Sequence, residues 1–220
     1  MRRHVTTRHH TPFCNIRELH ASLELDEPQR PLIAIPIGVN QRLEVVRGES
    51  TTTESLVRAA QRGDRDAFTL LYDYHVRFVH TLLLAYAAPD EVPDLVQEVF
   101  LTAWRQLSAL RDFSAFSGWL GSISRNAGRM HLRARRDYVP LSNELQSSDA
   151  QPESALDAER ALNLIATLPE NQREPLLLRL VDGMNGEEIA RHLQMSHAAV
   201  RVNLHRGMKR LRELMESPDV

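Results

Sequence analysis

The chain has 220 residues, 42% hydrophobic and 25% charged, with nine Gly and eleven Pro, a globular composition that excludes wholesale disorder and fibrous repeats. No wholly apolar run approaches the ~18 residues of a membrane helix, and one cysteine, Cys14, forms no internal disulfide, so a soluble protein of a reducing cytoplasm is expected. The net charge of −2 hides two basic stretches without an acid: Arg125–Arg136 with five arginines, and His197–Arg212 with Arg201, Arg206, Lys209, Arg210 and Arg212.

Residues 1–52 read differently from the rest. Pro12, Pro28, Pro31 and Pro36 are scattered among His and Arg, and no helical period is sustained. Arg30–Val39 resembles a strand, but two prolines and a glycine weaken it. No apolar segment follows basic Met1–His10, so no secretory signal is expected. The segment reads as a disordered or non-native leader that the fold does not need, with Val39, Val45 and Val46 as alternative starts. The other reading is a regulatory arm in which His9, His10 and Cys14 sense metal or oxidant, although the paired Cys/His spacing of zinc modules is missing.

From Thr53 the chain reads as helix after helix. Thr53–Gln61 is amphipathic and ends at Gly63; Asp64 is placed to cap a helix from Arg65 to about Ala87, stopped by Pro89. Asp90–Leu110 and Phe113–Arg136 follow. A polar, turn-rich linker runs from Val139 to Ala155, and residues 140–170 carry a net charge of −5. Three or four more helices extend to Glu216. The expected fold is all-α: two small helical domains, residues 53–138 and 156–216, joined by a flexible linker. Two basic patches on either side of an acidic connector suit a polyanion held at two points.

Three helix faces carry information at ~100° per residue. In Asp90–Leu110, Val92, Leu95, Val96, Val99, Ala103 and Leu110 share one face, while Asp94, Gln97, Glu98 and Leu101 stand opposite with Trp104 on the shoulder. Trp104 either packs on a neighbouring helix or anchors a protein partner, as aromatics with polar rims do. In Phe113–Arg136, Phe116, Trp119, Leu120, Ile123, Ala127 and Met130 are placed inside. Arg125, Arg129, Arg133 and Arg136 line the outside. Basic groups interleaved with aromatics and with Ser122 and Asn126 suit single-stranded nucleic acid: Arg meets backbone charge, while flat and polar groups meet unstacked bases. Solubilising arginines are the plainer alternative.

Between Gly186 and Leu214 the pattern is a helix-turn-helix. Glu187–Leu193 is a short helix, Gln194–Ser196 the turn, and Ser196 the cap of a second helix burying Val200, Leu204, Met208, Leu211 and Met215. Its outward residues near the N-terminus are Ala198, Ala199, Arg201, Val202, His205 and Arg206. The alanines permit close approach, the arginines reach guanine edges or phosphates, and Val202 suits a thymine methyl.

DLVQEVFLTAW (Asp94–Trp104), FSGWLGSISRNAGRMHLRARR (Phe116–Arg136) and the run from Leu168 to Leu214 together resemble the extracytoplasmic-function (ECF) group of bacterial sigma factors, in the family's order and spacing. The resemblance implies that the first motif is sigma region 2.2, which grips the β′ clamp helices of RNA polymerase. The second is regions 2.3 and 2.4, which melt and read the promoter −10 element. The third is region 4, which reads the −35 element. Carried over position by position, it implies polymerase binding by Asp94, Gln97, Glu98, Phe100, Leu101 and Trp104. It implies −10 contacts by Phe113, Trp119, Arg125, Asn126, Arg129, Arg133 and Arg136, with Phe113–Ser117 accepting a flipped-out base. It implies −35 contacts by Ser196, His197, Ala198, Arg201, Val202, His205, Arg206 and Lys209. Relatives commonly carry an acid where Met130 stands, and the leader has no counterpart in the simplest members. Implied partners are core RNA polymerase (β′ clamp helices and β flap), promoter DNA and an anti-sigma factor; no membrane insertion, cofactor or metal is expected.

The linker fits this reading. Its roughly seventeen residues reach ~56–61 Å when extended and average ~21–25 Å as a coil, enough to span promoter elements more than one ~34 Å turn apart when stretched. A stand-alone helix-turn-helix regulator is the first rival, and it leaves the Asp94–Trp104 face and the arginine stripe without a role. A sigma-like partner protein that binds an anti-sigma factor and no DNA is the second, and it has no need of outward Arg201 and Arg206. An enzyme is not expected: no nucleophile–base pair, phosphate loop or carboxylate dyad falls on a rigid element, and His192, His197 and His205 lie on or near the DNA-binding face.

Overall fold

The computed structural model describes residues 53–137 and 153–216, and all the regular secondary structure among them is helical. Helix α1 (Thr53–Gln61) buries Leu56, Val57 and Ala60. The chain reverses at Gly63, whose φ of +95° is open to glycine without strain. Asp64 then caps α2 (Arg65–Leu83), its side chain accepting from the backbone N–H groups of Asp66 and Ala67 at 3.0 Å. Helix α2 is the central rod of this half, with Leu71, Phe78, Val79, Leu82 and Leu83 fully or almost fully buried.

Helix α2 ends earlier than its apolar pattern suggests. Leu84, Ala85 and Tyr86 remain buried but lie in successive turns, with Ala85 N–H on Leu82 and Tyr86 N–H on Leu83. A continuous apolar run does not separate a buried turn from a buried helix. Helix α3 (Val92–Gln106) starts with Pro93 in its first turn and continues as a 3-10 turn, Leu107–Ala109. The Gln61 amide ties α1 to that end, donating to the carbonyls of Leu107 and Leu110 at 2.8 Å each. A second 3-10 turn, Phe113–Ala115, is capped by Asp112 and leads into α4 (Phe116–Asp137). The inward residues expected of α3, from Val92 to Leu110, are all buried.

Helix α4 departs from expectation at Met130, which is 67% exposed. Phe116, Leu120 and Ser124 are fully buried. Met130 stands roughly 80° from the centre of that stripe at ~100° per residue, an edge position that the fold leaves in solvent.

The second half comprises α5 (Glu153–Ala166), α6 (Glu170–Leu180), α7 (Gly186–Leu193) and α8 (His197–Glu216). Helix α6 is its core, buried from Glu174 through Leu180. Asn185 and Glu188 form a reciprocal capping box at the start of α7, and Gln194 ends it in the left-handed region. Ser196 accepts from Ala199 N–H at 3.2 Å to start α8. Of the expected inner stripe of α8, Val200, Leu204, Met208 and Leu211 are buried and Met215 is half-buried. Asn203, also buried, accepts from the Asn171 amide at 3.3 Å.

The two halves meet directly: α6 packs on α2, and α7 packs on α4. The leader, with His9, His10 and Cys14, and the linker core 138–152 lie outside the described residues, as do the side chains of 136–137 and 153–157.

Candidate protein and nucleic-acid interfaces

On the α2–α3 side, two aromatic pairs build an open groove. The rings of Phe68 and Trp104 meet edge-on at 4.7 Å, and those of Tyr72 and Phe100 at 4.6 Å. The groove, about 450 Å³, is walled by Arg65, Thr69 and Gln97 besides these rings and Leu101. Leu101 is 55% and Trp104 37% exposed, so Trp104 both packs on a neighbouring helix and keeps a free face. Asp94, Gln97 and Glu98 are exposed around it. Phe100 is buried; it supports Tyr72 and offers little surface of its own. Phe68 and Tyr72 were not anticipated. Their signal is the i, i+3, i+4, i+7 spacing of Arg65, Phe68, Thr69 and Tyr72 on α2.

The α4 face differs from a plain row of outward arginines. Asn126 and Arg133 are exposed, and Trp119 is half-buried with its ring 5.8 Å from that of Phe116. Phe113 is half-buried beneath the Arg58 guanidinium, 4.9 Å from its ring centre. Arg125, expected outside, is only 17% exposed at its side chain, because α6 lies over it. Its Nε donates to both carboxylate oxygens of Glu174 at 3.0 Å, and Tyr86 donates its hydroxyl to the same carboxylate at 2.6 Å. Burial and then the charge of Glu174 push the Tyr86 hydroxyl well above the usual phenol range.

One turn further along α4, Arg129 pairs with Glu170, and that hydrogen bond raises its already high affinity for the proton. Burial works against the Glu170 carboxylate, but the hydrogen bond and charge of Arg129 outweigh it and hold its pKa below the ordinary value. Arg135 pairs with Glu91 at 2.9 Å. The side chain of Arg136 lies outside the described residues.

The outer face of α8 matches expectation. Ser196, His197, Ala198, Arg201, Val202, His205, Arg206 and Lys209 are all exposed, and Ala199 is half-buried. Arg201, Arg206 and Lys209 make no ion pair among the described residues, whereas Arg210 pairs with Glu213 at 3.1 Å. The histidines of this half do not converge: His197 and His205 are in solvent, while His192 turns toward α2 and α4. Among the described residues no group of three His, Cys, Asp or Glu is placed to hold a metal ion, and no helix is long and apolar enough to cross a membrane.

Comparison with known proteins gives matches over both halves. Residues 71–138 match the family model "Sigma-70 region 2", and residues 158–211 match "Sigma-70, region 4". The chain is 30% identical over 186 residues to the ECF RNA polymerase sigma-E factor of Haemophilus influenzae, covering 77% of this chain and 96% of that protein. It is 32% identical over 176 residues to the corresponding factor of Escherichia coli K12, covering 72% and 92%. Among solved structures, the fold is similar to CnrH in complex with the cytosolic domain of CnrY (TM-score 0.56, 24% identity, 76% of this chain and 99% of that one). It is also similar to the sigma factor RpoE of Bartonella quintana in complex with the anti-sigma factor NepR (TM-score 0.50, 23% identity, 69% and 98%).

Proposed function

The chain belongs to the ECF sigma factors, which direct transcription initiation by RNA polymerase, and from that premise we propose how its surfaces divide the work. The α2–α3 groove around Leu101 and Trp104 docks on the β′ clamp helices, with Asp94, Gln97 and Glu98 forming the polar rim. The α4 helix and the Phe113–Ser117 segment take the non-template −10 strand. There Arg125, Arg129 and Arg133 meet phosphates, and Trp119 and Asn126 meet bases, which offsets the few kcal/mol of flipping and unpairing. The α8 helix enters the major groove at −35 while its half contacts the β flap. Residues 53–138 and 156–216 act as the two working units. An anti-sigma factor is a further partner, a reading supported by the NepR complex of the Bartonella sigma factor.

The observation that carries this reading is the α8 face: Arg201, Val202, His205 and Arg206 stand in solvent on a helix whose opposite side is locked into the core. Such a row, with its cations unpaired, suits base edges and phosphates. The test is run-off transcription with core polymerase and a promoter library. Specific transcripts that disappear with Arg201→Ala/Arg206→Ala and with Trp104→Ala are expected. Core binding without promoter-specific transcripts would overturn the DNA assignments. DNA binding without core binding would favour the stand-alone regulator.

A further inference from the structure

The contacts between the two halves fall on the very arginines assigned above to the −10 strand. Arg125 and Arg129 are four residues apart on α4, and Glu170 and Glu174 are four apart on α6. The helices pair them crosswise, Arg125 with Glu174 and Arg129 with Glu170. Residues spaced i, i+4 share one helix face, so two carboxylates meet two guanidiniums in a single patch. The arrangement offers the arginines what a nucleic-acid backbone offers: two anions in succession along the helix.

One of these pairs is not an ordinary surface contact. Glu174 is only 5% exposed and also accepts the Tyr86 hydroxyl. A buried carboxylate needs its cation, because an unpaired charge there is strongly disfavoured. The rest of the contact lies beside it. The α7–α8 turn sits on the start of α4, where the Gln194 side chain occupies the space a Cβ at Gly118 would take. His192 stacks on Phe78 at 4.5 Å and shares a hydrogen bond with Ser117, in the segment assigned to the flipped base. Arg77 and Asp182 pair at 3.3 Å at another point. The α2–α3 groove and the outer α8 face take no part and stay exposed.

We infer that α6 is a built-in competitor for the −10 strand: Glu170 and Glu174 hold Arg129 and Arg125 in place of backbone phosphates, so the free protein rests closed. The closed form keeps its polymerase groove and −35 face open and occupies its −10 face in part, at Arg125, Arg129 and Ser117, while Asn126 and Arg133 stay exposed. Polymerase and upstream duplex are therefore engaged first, and α4 must leave α6 before unstacked DNA is captured. Early single-strand binding by free protein is suppressed, while recruitment is not. The inference rests on the assignment of α4 to the −10 strand.

The test uses the full chain without polymerase and a fluorescent, mixed-sequence single-stranded DNA, with small-angle X-ray scattering in parallel. Glu170→Gln/Glu174→Gln should raise single-strand affinity about tenfold and increase the radius of gyration. Glu170→Gln alone, at the more exposed pair, leaves the core untouched and should give a smaller rise in the same direction. Adding Arg125→Ala/Arg129→Ala to the double variant should abolish the gain. If wild type binds the strand as tightly as both Gln variants and that binding requires Arg125 and Arg129, the competitor role is wrong and the −10 assignment stands. If the Gln variants expand but binding is indifferent to Arg125 and Arg129, the −10 assignment fails. If neither Gln variant expands nor binds more tightly, the contacts are structural only and the inference is overturned.

Discussion

The imidazole of His192 lies over the ring of Phe78 with centroids 4.5 Å apart and meets the Ser117 hydroxyl through Nδ1, so one side chain of α7 touches both α2 and α4. Burial, then the nearby charges of His75 and Arg191, push its pKa down to about 4. His75, across on α2, is itself lowered by burial, only partly offset by its bond to the Leu71 carbonyl.

That depression makes closure pH-dependent. Above the ordinary value of 6.5, His192 is neutral whether the halves are together or apart, and pH has no effect. Below it the open form takes a proton that the closed form refuses. The His192 contribution to closure then weakens as pH falls from 6.5 toward about 4, by up to ~1.4 kcal/mol per pH unit. Asp182 opposes it in part, because burial raises its pKa and its protonation favours the closed form. Scattering profiles at pH 7.5 and 5.5 should show expansion at the lower pH, and His192→Phe, which keeps the stacking, should blunt the change. Identical profiles for wild type at both pH values would refute the dependence.

Trp104→Ala should weaken core polymerase binding by ~2 kcal/mol or more, as truncated central aromatics do, while the protein stays folded. Trp104 loses an edge-on contact with Phe68 but is more than one-third exposed already, so the core keeps its other contacts. Circular dichroism and a polymerase pull-down decide between the roles. An unfolded variant would make Trp104 a structural residue.

The α8 cations separate by what they reach. Arg201 and Arg206 lie nearer the helix N-terminus than Lys209 does. Arg206→Ala should cost ~1–3 kcal/mol and relax preference at one or two −35 positions. Lys209→Ala should weaken binding evenly across sequences and reduce the salt slope by about one. Affinities on a panel of −35 duplexes at several salt concentrations make the distinction, and an even loss for Arg206→Ala would reduce it to a phosphate contact.

How far the sequence reached depended on where each residue's partners lie. The caps at Asp64 and Ser196 and the buried face of α3 are local, periodic features, and they were legible. The same periodicity put Arg125 and Arg129 outside their own helix correctly, yet missed that α6 pairs with both and covers Arg125. Glu174 and Glu170 are 49 and 41 residues away in the chain, and no pattern within α4 announces them. Met130 shows the converse: an apolar residue at the margin of a stripe is buried only if another element extends over it. Phe68 and Tyr72 lie within a helix read only by its cap and its ends, and aromatics at helical spacing are equally at home in a core and in a groove.

Two glycines of α4 provide a last comparison. A Cβ at Gly128 would lie 2.5 Å from Cγ and 2.7 Å from Cβ of Tyr86. The Tyr86 ring has little room to yield, since the Arg173 guanidinium lies over it, 5.1 Å from its centre, and its hydroxyl is held by Glu174. Gly128→Ala gains ~1 kcal/mol of helix propensity, but overpacking at such a contact costs ~1–3 kcal/mol, and the loss of Tyr86 geometry adds to it. Net destabilisation is expected. At Gly118 the obstructing atoms are Cγ, Cδ and Nε2 of Gln194, a flexible side chain on an exposed residue, which can rotate away. Gly118→Ala should therefore keep most of the propensity gain and melt no lower than wild type. Thermal unfolding of the two variants tests this: equal Tm losses would mean that Gln194 is held as firmly as Tyr86, and unchanged Tm for Gly128→Ala would mean that the Tyr86 turn is free to shift.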